Sequence, residues 1–133
     1  MAGKETALGK RTAAMKAFLG ARQGAEEVPV VAPRGTAPVG FMYKVMGKTF
    51  AVLAVRGEGY VTLKCDPHLI DILRGTYEGV GKRTHLDPRH WISVTLDGDV
   101  PATEIERLAL GSYELVCAGL TRKQQAELEA MSR

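Results

Sequence analysis

Three short runs of apolar and β-branched residues lie between Gly40 and Cys65, with little but turn signals between them. Gly40–Met46 runs into Gly47-Lys48, and Thr49–Val55 runs into Arg56-Gly57-Glu58-Gly59, which leads to Tyr60–Cys65. Glycine-bearing tight turns between such runs require an antiparallel meander. In the middle strand, alternation puts Phe50, Val52 and Ala54 on one face, with Thr49, Ala51, Leu53 and Val55 on the other.

Helices are expected before and after this meander along the chain. Asp66-Pro67 reads as a helix start, with aspartate as N-cap and proline at the first position, where its missing N–H costs nothing. Leu69, Ile70, Ile72 and Leu73 form the buried side of that helix, and Gly75 is expected to stop it. Residues 76–90 read as a polar loop. Trp91–Leu96 then alternates as a fourth strand, ended by Asp97-Gly98. Pro101 and the capping box Thr103-x-x-Glu106 open a helix striped with Ile105, Leu108, Ser112, Leu115 and Val116. A second box, Thr121-x-x-Gln124, opens a C-terminal helix over about 121–131. An N-terminal helix over about 6–22 has a loose stripe of Leu8, Met15, Phe18 and Leu19. Residues 23–40 hold three prolines and three glycines and read as a connecting loop, with a short extended piece at Val28–Val31. The expected order is α-βββ-α-β-αα, α+β in class, in one domain of 133 residues.

Hydrophobic content of 45% and charged content of 25% are those of a soluble globular chain, with no apolar stretch able to span a bilayer. Basic residues are scattered through the N-terminus where a signal peptide would carry its apolar segment, so a cytoplasmic location is expected. Cys65 and Cys117 are too few for a disulfide scaffold and read as small buried hydrophobes. The net charge of +3 is unevenly placed. Residues 1–22 and 44–91 are basic, and the chain from Ile92 onward turns acidic. A two-signed surface with a polyanion as partner fits that distribution, as does ordinary solvated charge.

His85, Asp87 and His90 are the one cluster suited to metal or acid–base chemistry. Five-residue spacing across a loop containing Pro88, with no further Cys/His pair, does not build a tetrahedral site, and no cofactor is implied. The nucleophile-elbow, P-loop and dinucleotide-binding patterns are all lacking. The expected class is therefore not an enzyme. Cations fare better. Lys82-Arg83-Thr84-His85 and Arg89-His90-Trp91 bracket a loop just before a strand, as the wing of a winged motif is built, and Lys44 and Lys48 flank a second turn. Trp91, the sole tryptophan, is either core rim or a platform for stacking.

Leu63-Lys64-Cys65-Asp66-Pro67, His85-Leu86-Asp87-Pro88-Arg89-His90-Trp91, Leu96-Asp97-Gly98 and Ser112-Tyr113-Glu114-Leu115-Val116 occur in order. Together with Gly47-Lys48-Thr49-Phe50-Ala51, they resemble the MmcQ/YjbR family over roughly residues 24–120. That family's H-L-N-K-x-H-W segment has Asp87 and Pro88 here in place of an asparagine and a lysine, one cation fewer. The resemblance implies a two-layer sandwich, an antiparallel sheet with helices on one face, and DNA binding through a double-wing motif. It carries over Lys64, His85, His90 and Trp91; Lys48, Lys82, Arg83 and Arg89 join them on charge alone.

The leading expectation is a non-enzymatic DNA-binding protein that contacts phosphates through basic loops. The rival is a protein-binding adaptor or chaperone-like module, with a homodimer or another protein as partner and no membrane. A small-molecule site using His85 and His90 requires the two rings to converge on one hollow.

Overall fold

The computed structural model describes residues 8–35 and 37–131. Thr6 and Ala7, at the start of the expected N-terminal helix, lie outside the described residues. Helix α1 (Lys10–Gly20) precedes strands β1 (Ala25–Val31), β2 (Pro38–Val45), β3 (Lys48–Ala54) and β4 (Tyr60–Lys64). Helix α2 (Pro67–Thr76), strands β5 (Val80–Gly81) and β6 (Trp91–Thr95), and helices α3 (Ala102–Ala118) and α4 (Arg122–Ala130) complete the chain. All six strands form one antiparallel sheet in the order β1-β2-β3-β4-β6-β5. The α+β class and the meander are as the sequence implies.

Register sorts the residues into rows that cross the sheet. Phe41, Leu53, Val61, Val94 and Val80 are successive partners, and so are Tyr43, Ala51, Leu63 and Ile92. Both rows face one apolar core with Met15 and Leu19 of α1, Ile70 and Leu73 of α2, Ile105, Leu108 and Val116 of α3, and Leu128 of α4. The helices thus cover one side of the sheet. Rows of the opposite phase, Val28-Met42-Val52-Thr62-Ser93-Gly81 and Val30-Gly40-Ala54-Tyr60-Thr95, lie on the other side. The pair Lys64 and Trp91 extends that second side.

Several local expectations change. Residues 23–40 are not simply a loop: they contain β1 and the start of β2. Pro29 is tolerated because β1 is an edge strand, with one side carrying no ladder to lose. Phe50 does not share a face with Val52. Tyr43 pairs with Ala51 and Lys44 with Thr49, so Phe50 is an extra residue, a β-bulge that turns its ring inward beside Tyr43 and Tyr113. Gly75 does not stop α2, which continues to Thr76; the Tyr77 N–H still donates to Leu73 O and the Thr76 hydroxyl to Ile72 O. The Thr103-x-x-Glu106 box does not form either. Pro101 is the N-cap of α3, its carbonyl starting the ladder to Glu104 and Ile105, so Thr103 already lies inside the helix. The Thr121/Gln124 box does form in both directions, and Asp66 caps α2 through the His68 N–H.

Candidate nucleic-acid interface

The face of the sheet that the helices leave open is closed at one end by the loop after β5. Arg83 holds the loop down. Its backbone N–H donates to Ser93 Oγ at 2.9 Å, and its guanidinium donates to Thr95 Oγ1 at 2.7 Å and Glu58 Oε1 at 2.9 Å. The guanidinium carbon lies 4.5 Å from the centre of the Tyr60 ring, so the fork lies over the aromatic surface. All three hydrogen-bonding partners belong to the fold, so this cation is engaged by its neighbours.

Beyond Arg83 the chain turns twice. The Leu86 N–H donates to Thr84 Oγ1 at 3.0 Å, and the Asp87 carboxylate receives the Arg89 N–H at 2.9 Å. Asp87 O accepts from the N–H groups of His90 and Trp91. Asp87 is thus the capping residue of the turn that leads into β6. The Arg89 N–H, and then the Arg89 side chain, hold its carboxyl below the usual carboxylate range. Asp87-Pro88 thus builds this turn with a carboxylate at 87 and no cation at 88.

Under Thr84, His85 and Leu86, the open face forms a cavity of about 250 Å³. Its floor and walls are Met42, Val52, Ala54, Tyr60, Thr62 and Trp91. A second hollow of about 130 Å³ shares Thr49 and Trp91 with the first and is lined by Lys48, Lys64, Leu115 and Gly119. Trp91, half-buried at the start of β6, stands where the two meet. Lys48 Nζ reaches Gly119 O at 3.4 Å, where the C-terminal carbonyls of α3 favour a cation. Among the described residues, the ammonium groups of Lys64, Lys44 and Lys82 have no hydrogen bond or ion pair.

Five of the eight residues singled out by sequence, Lys48, Lys64, Arg83, His85 and Trp91, therefore come together around the two joined hollows. Lys82 is exposed just past β5. Arg89 and His90 do not join them. With Arg74, Asp71, Pro67 and Pro88 they line a separate hollow against α2, and Arg89 is paired with Asp87 at 3.3 Å. His85 and His90 thus border different hollows, and the two rings form no common site. No group of three His, Cys, Asp or Glu able to hold a metal occurs among the described residues. Burial pushes the Cys65 thiol up, away from the reactive thiolate form.

Met42, Val52, Tyr60 and Thr62 are absent from the residues singled out by sequence. Their signal was the alternate phase of the strands: the non-core positions of β4 are Tyr60, Thr62 and Lys64, an aromatic, a hydroxyl and a cation in succession.

Among the described residues no helix is long and apolar enough to cross a membrane. The chain is 36% identical over 72 residues to the uncharacterized protein YjbR of Escherichia coli K12. That match covers 53% of this chain and 61% of the relative's length, less than two thirds of it. The uncharacterized protein YbdF of Escherichia coli O157:H7 is 29% identical over 85 residues, 63% of this chain and 70% of that one. Among solved structures, Deinococcus radiodurans protein DR2400, with the domain DUF419, superposes with a TM-score of 0.73 at 27% identity. It covers 86% of this chain and 85% of its own. A Pseudomonas syringae protein shares the fold at a TM-score of 0.63 and 22% identity, over 77% of this chain and 96% of that one. The YjbR family model matches residues 21–115, well over half of the sequence, and the chain belongs to the YjbR family.

Proposed function

We propose that this protein binds DNA without transforming it, across the side of the sheet that carries Trp91. The observation that supports the reading is the junction at Trp91, with Lys48 and Lys64 lining one hollow and Arg83 and His85 the other. Phosphate binding requires several cations that reach one strand together and are not already neutralised within the fold. Lys64, Lys44 and Lys82 meet that condition better than Arg83 and Arg89, whose charges are answered by Glu58 and Asp87. In this reading the 84–86 turn is the wall of the interface, and Lys82 with the lysines of β2, β3 and β4 carries the phosphates.

The test is fluorescence anisotropy of labelled DNA at about 50 and 200 mM salt, with Lys48→Ala/Lys64→Ala beside the parent protein. Removing one lysine–phosphate pair lowers the slope of log affinity against log salt by about 1, so the double variant is expected to lower it by about 2. DNA that does not bind at the lower salt overturns the proposal.

A second reading has its own observation. Ile72 is 63% exposed, and with Leu69 and Leu115 it leaves apolar surface beside a hollow between α2 and α3. A second copy of the chain docking there would make a protein-binding module. Sedimentation of the parent and of Ile72→Glu tests it: a dimer that the variant dissociates supports it, and a monomer at all concentrations removes it.

A further inference from the structure

We infer that the DNA received by this face is single-stranded, and that one unstacked base enters the open-face cavity beside Trp91. The inference rests on the DNA reading above and goes further by naming the form of the ligand. Three features of the cavity support it.

The first is size. At about 250 Å³ the cavity has room for one planar ring system, with the joined hollow of about 130 Å³ beside it for what the ring is attached to. The second is the chemistry of its lining. Met42, Val52, Tyr60, Leu86 and Trp91 offer apolar and aromatic contact, but the floor is not wholly apolar. Thr62 is only 4% exposed and lines the cavity, so a ligand that fills the cavity covers its hydroxyl. Covering such a hydroxyl without giving it a partner is costly. A ligand edge that carries donors and acceptors satisfies it, and an aliphatic side chain does not. A nucleobase has both the faces to stack and the edge to bond.

The third is the neighbouring charge. The adjoining hollow, with Lys48 and Lys64, opens on the other side of Trp91. A base in the cavity has its own phosphates beside it, and the lysines stand where the backbone would leave. In a duplex, paired bases are held in the stack and do not enter a hollow walled by the 84–86 turn without being flipped out, at an unstacking cost. A single strand does not bear that cost. Sequence-tolerant stacking on aromatic surfaces, next to a cationic path for the backbone, is how single strands are held in general.

The experiment compares an oligothymidylate of roughly twelve nucleotides, the duplex of equal length, and the same sugar-phosphate chain lacking bases, each titrated into the intact protein. Anisotropy gives the affinity, and the emission of Trp91, the sole tryptophan, reports occupancy of the cavity. The single strand is expected to bind at least tenfold more tightly than the duplex and to quench Trp91. The abasic chain is expected to lose most of that advantage and the quenching with it. Thr62→Val, which keeps the shape and removes the hydroxyl, is expected to weaken the single strand several-fold and leave the abasic chain unchanged. Equal or tighter binding of the duplex, with Trp91 emission unmoved, overturns the base cavity and leaves the DNA reading standing. Failure of all three probes to bind overturns both. Binding of an apolar peptide in place of any of the three, with Trp91 quenched, overturns them in favour of a protein partner.

Discussion

Ser112 Oγ donates to the carbonyl oxygen of Phe50 at 2.6 Å, from a helix to a strand across the core. The same serine hydroxyl accepts the Lys64 N–H at 2.8 Å. The ladder between β3 and β4 ends at the pair Ala51 and Leu63, and the next pair outward would have been Phe50 with Lys64. The bulge at Phe50 parts the two strands at this point, and the serine hydroxyl of α3 takes the place of the missing rung. It thereby fixes the strand end where Lys64 stands opposite Trp91, and so shapes the candidate interface.

Ser112→Ala removes a partner from two backbone groups beneath a fully buried side chain. An unsatisfied buried group costs about 1–3 kcal/mol. The variant is expected to lose roughly 2–3 kcal/mol in urea denaturation, and a loss below about 0.5 kcal/mol would show that water replaces the hydroxyl.

How much of this was legible in the sequence depends on how local each signal is. The cap at Asp66, the turn at Gly47, the alternation of 91–96 and the box at Thr121 each lie within a few residues and were all readable. Phe50 was not. A bulge is set by what faces the strand, here Ser112 some sixty residues away, and the β3 run alone reads as perfect alternation. Edge strand β1 was obscured by Pro29, which breaks a central strand and not an outer one. In the site, cation-bearing positions were visible as residue types. That Arg83 would be held by Glu58 and Arg89 by Asp87 was not, because ion pairing depends on where side chains lie. The cavity itself depends on the cross-strand row Met42-Val52-Thr62, which no single stretch of sequence contains.

Gly40 is fixed by its neighbours rather than by its backbone angles. A Cβ there would lie 2.6 Å from the carbonyl oxygen of Leu53 on the adjacent strand, and a backbone atom in a ladder cannot move away as a flexible side chain can. Gly40→Ala is expected to destabilise the protein by about 1–3 kcal/mol, the range of overpacked sites. Thermal melting checks it: an unchanged midpoint would mean that β2 shifts out at little cost.

Arg83 has the geometry of a fastener more than of a phosphate ligand. Its ion pair is exposed and worth no more than about 1 kcal/mol. Arg83→Ala should therefore leave global stability within about 1 kcal/mol of the parent. Hydrogen exchange at the Leu86 amide, within the 84–86 turn, should nevertheless quicken as the loop loses Thr95, Glu58 and Tyr60 together. The salt slope of DNA binding is expected to stay unchanged in this variant. A fall of about 1 would make Arg83 a phosphate ligand instead.

The phenols of Tyr43 and Tyr113 govern behaviour at high pH. Burial, then the hydrogen bond to Glu27 at 2.6 Å and the charge on that carboxylate, pushes Tyr43 far above its ordinary value. Tyr113 is pushed up to about 12, first by burial and then by the Cys117 thiol beside it. Its hydroxyl donates to Gln23 O at 2.6 Å, which only the neutral phenol can do. The unfolded chain ionises its tyrosines near pH 10. A pKa raised on folding gives stability that is complete below the unfolded value and is lost as pH rises through the folded one. The raised Cys65 thiol begins a loss of stability below pH 10, and the tyrosines add to it from about pH 10, Tyr113's share running to about pH 12 and Tyr43's continuing above that. In Tyr113→Phe the fall over that window should be shallower, from a lower starting value, because the Gln23 bond is already gone. Urea denaturation at pH 8, 10 and 11, with the phenolate absorbance followed in parallel, measures both. If parent and variant lose stability with the same slope, Tyr113 does not titrate with unfolding.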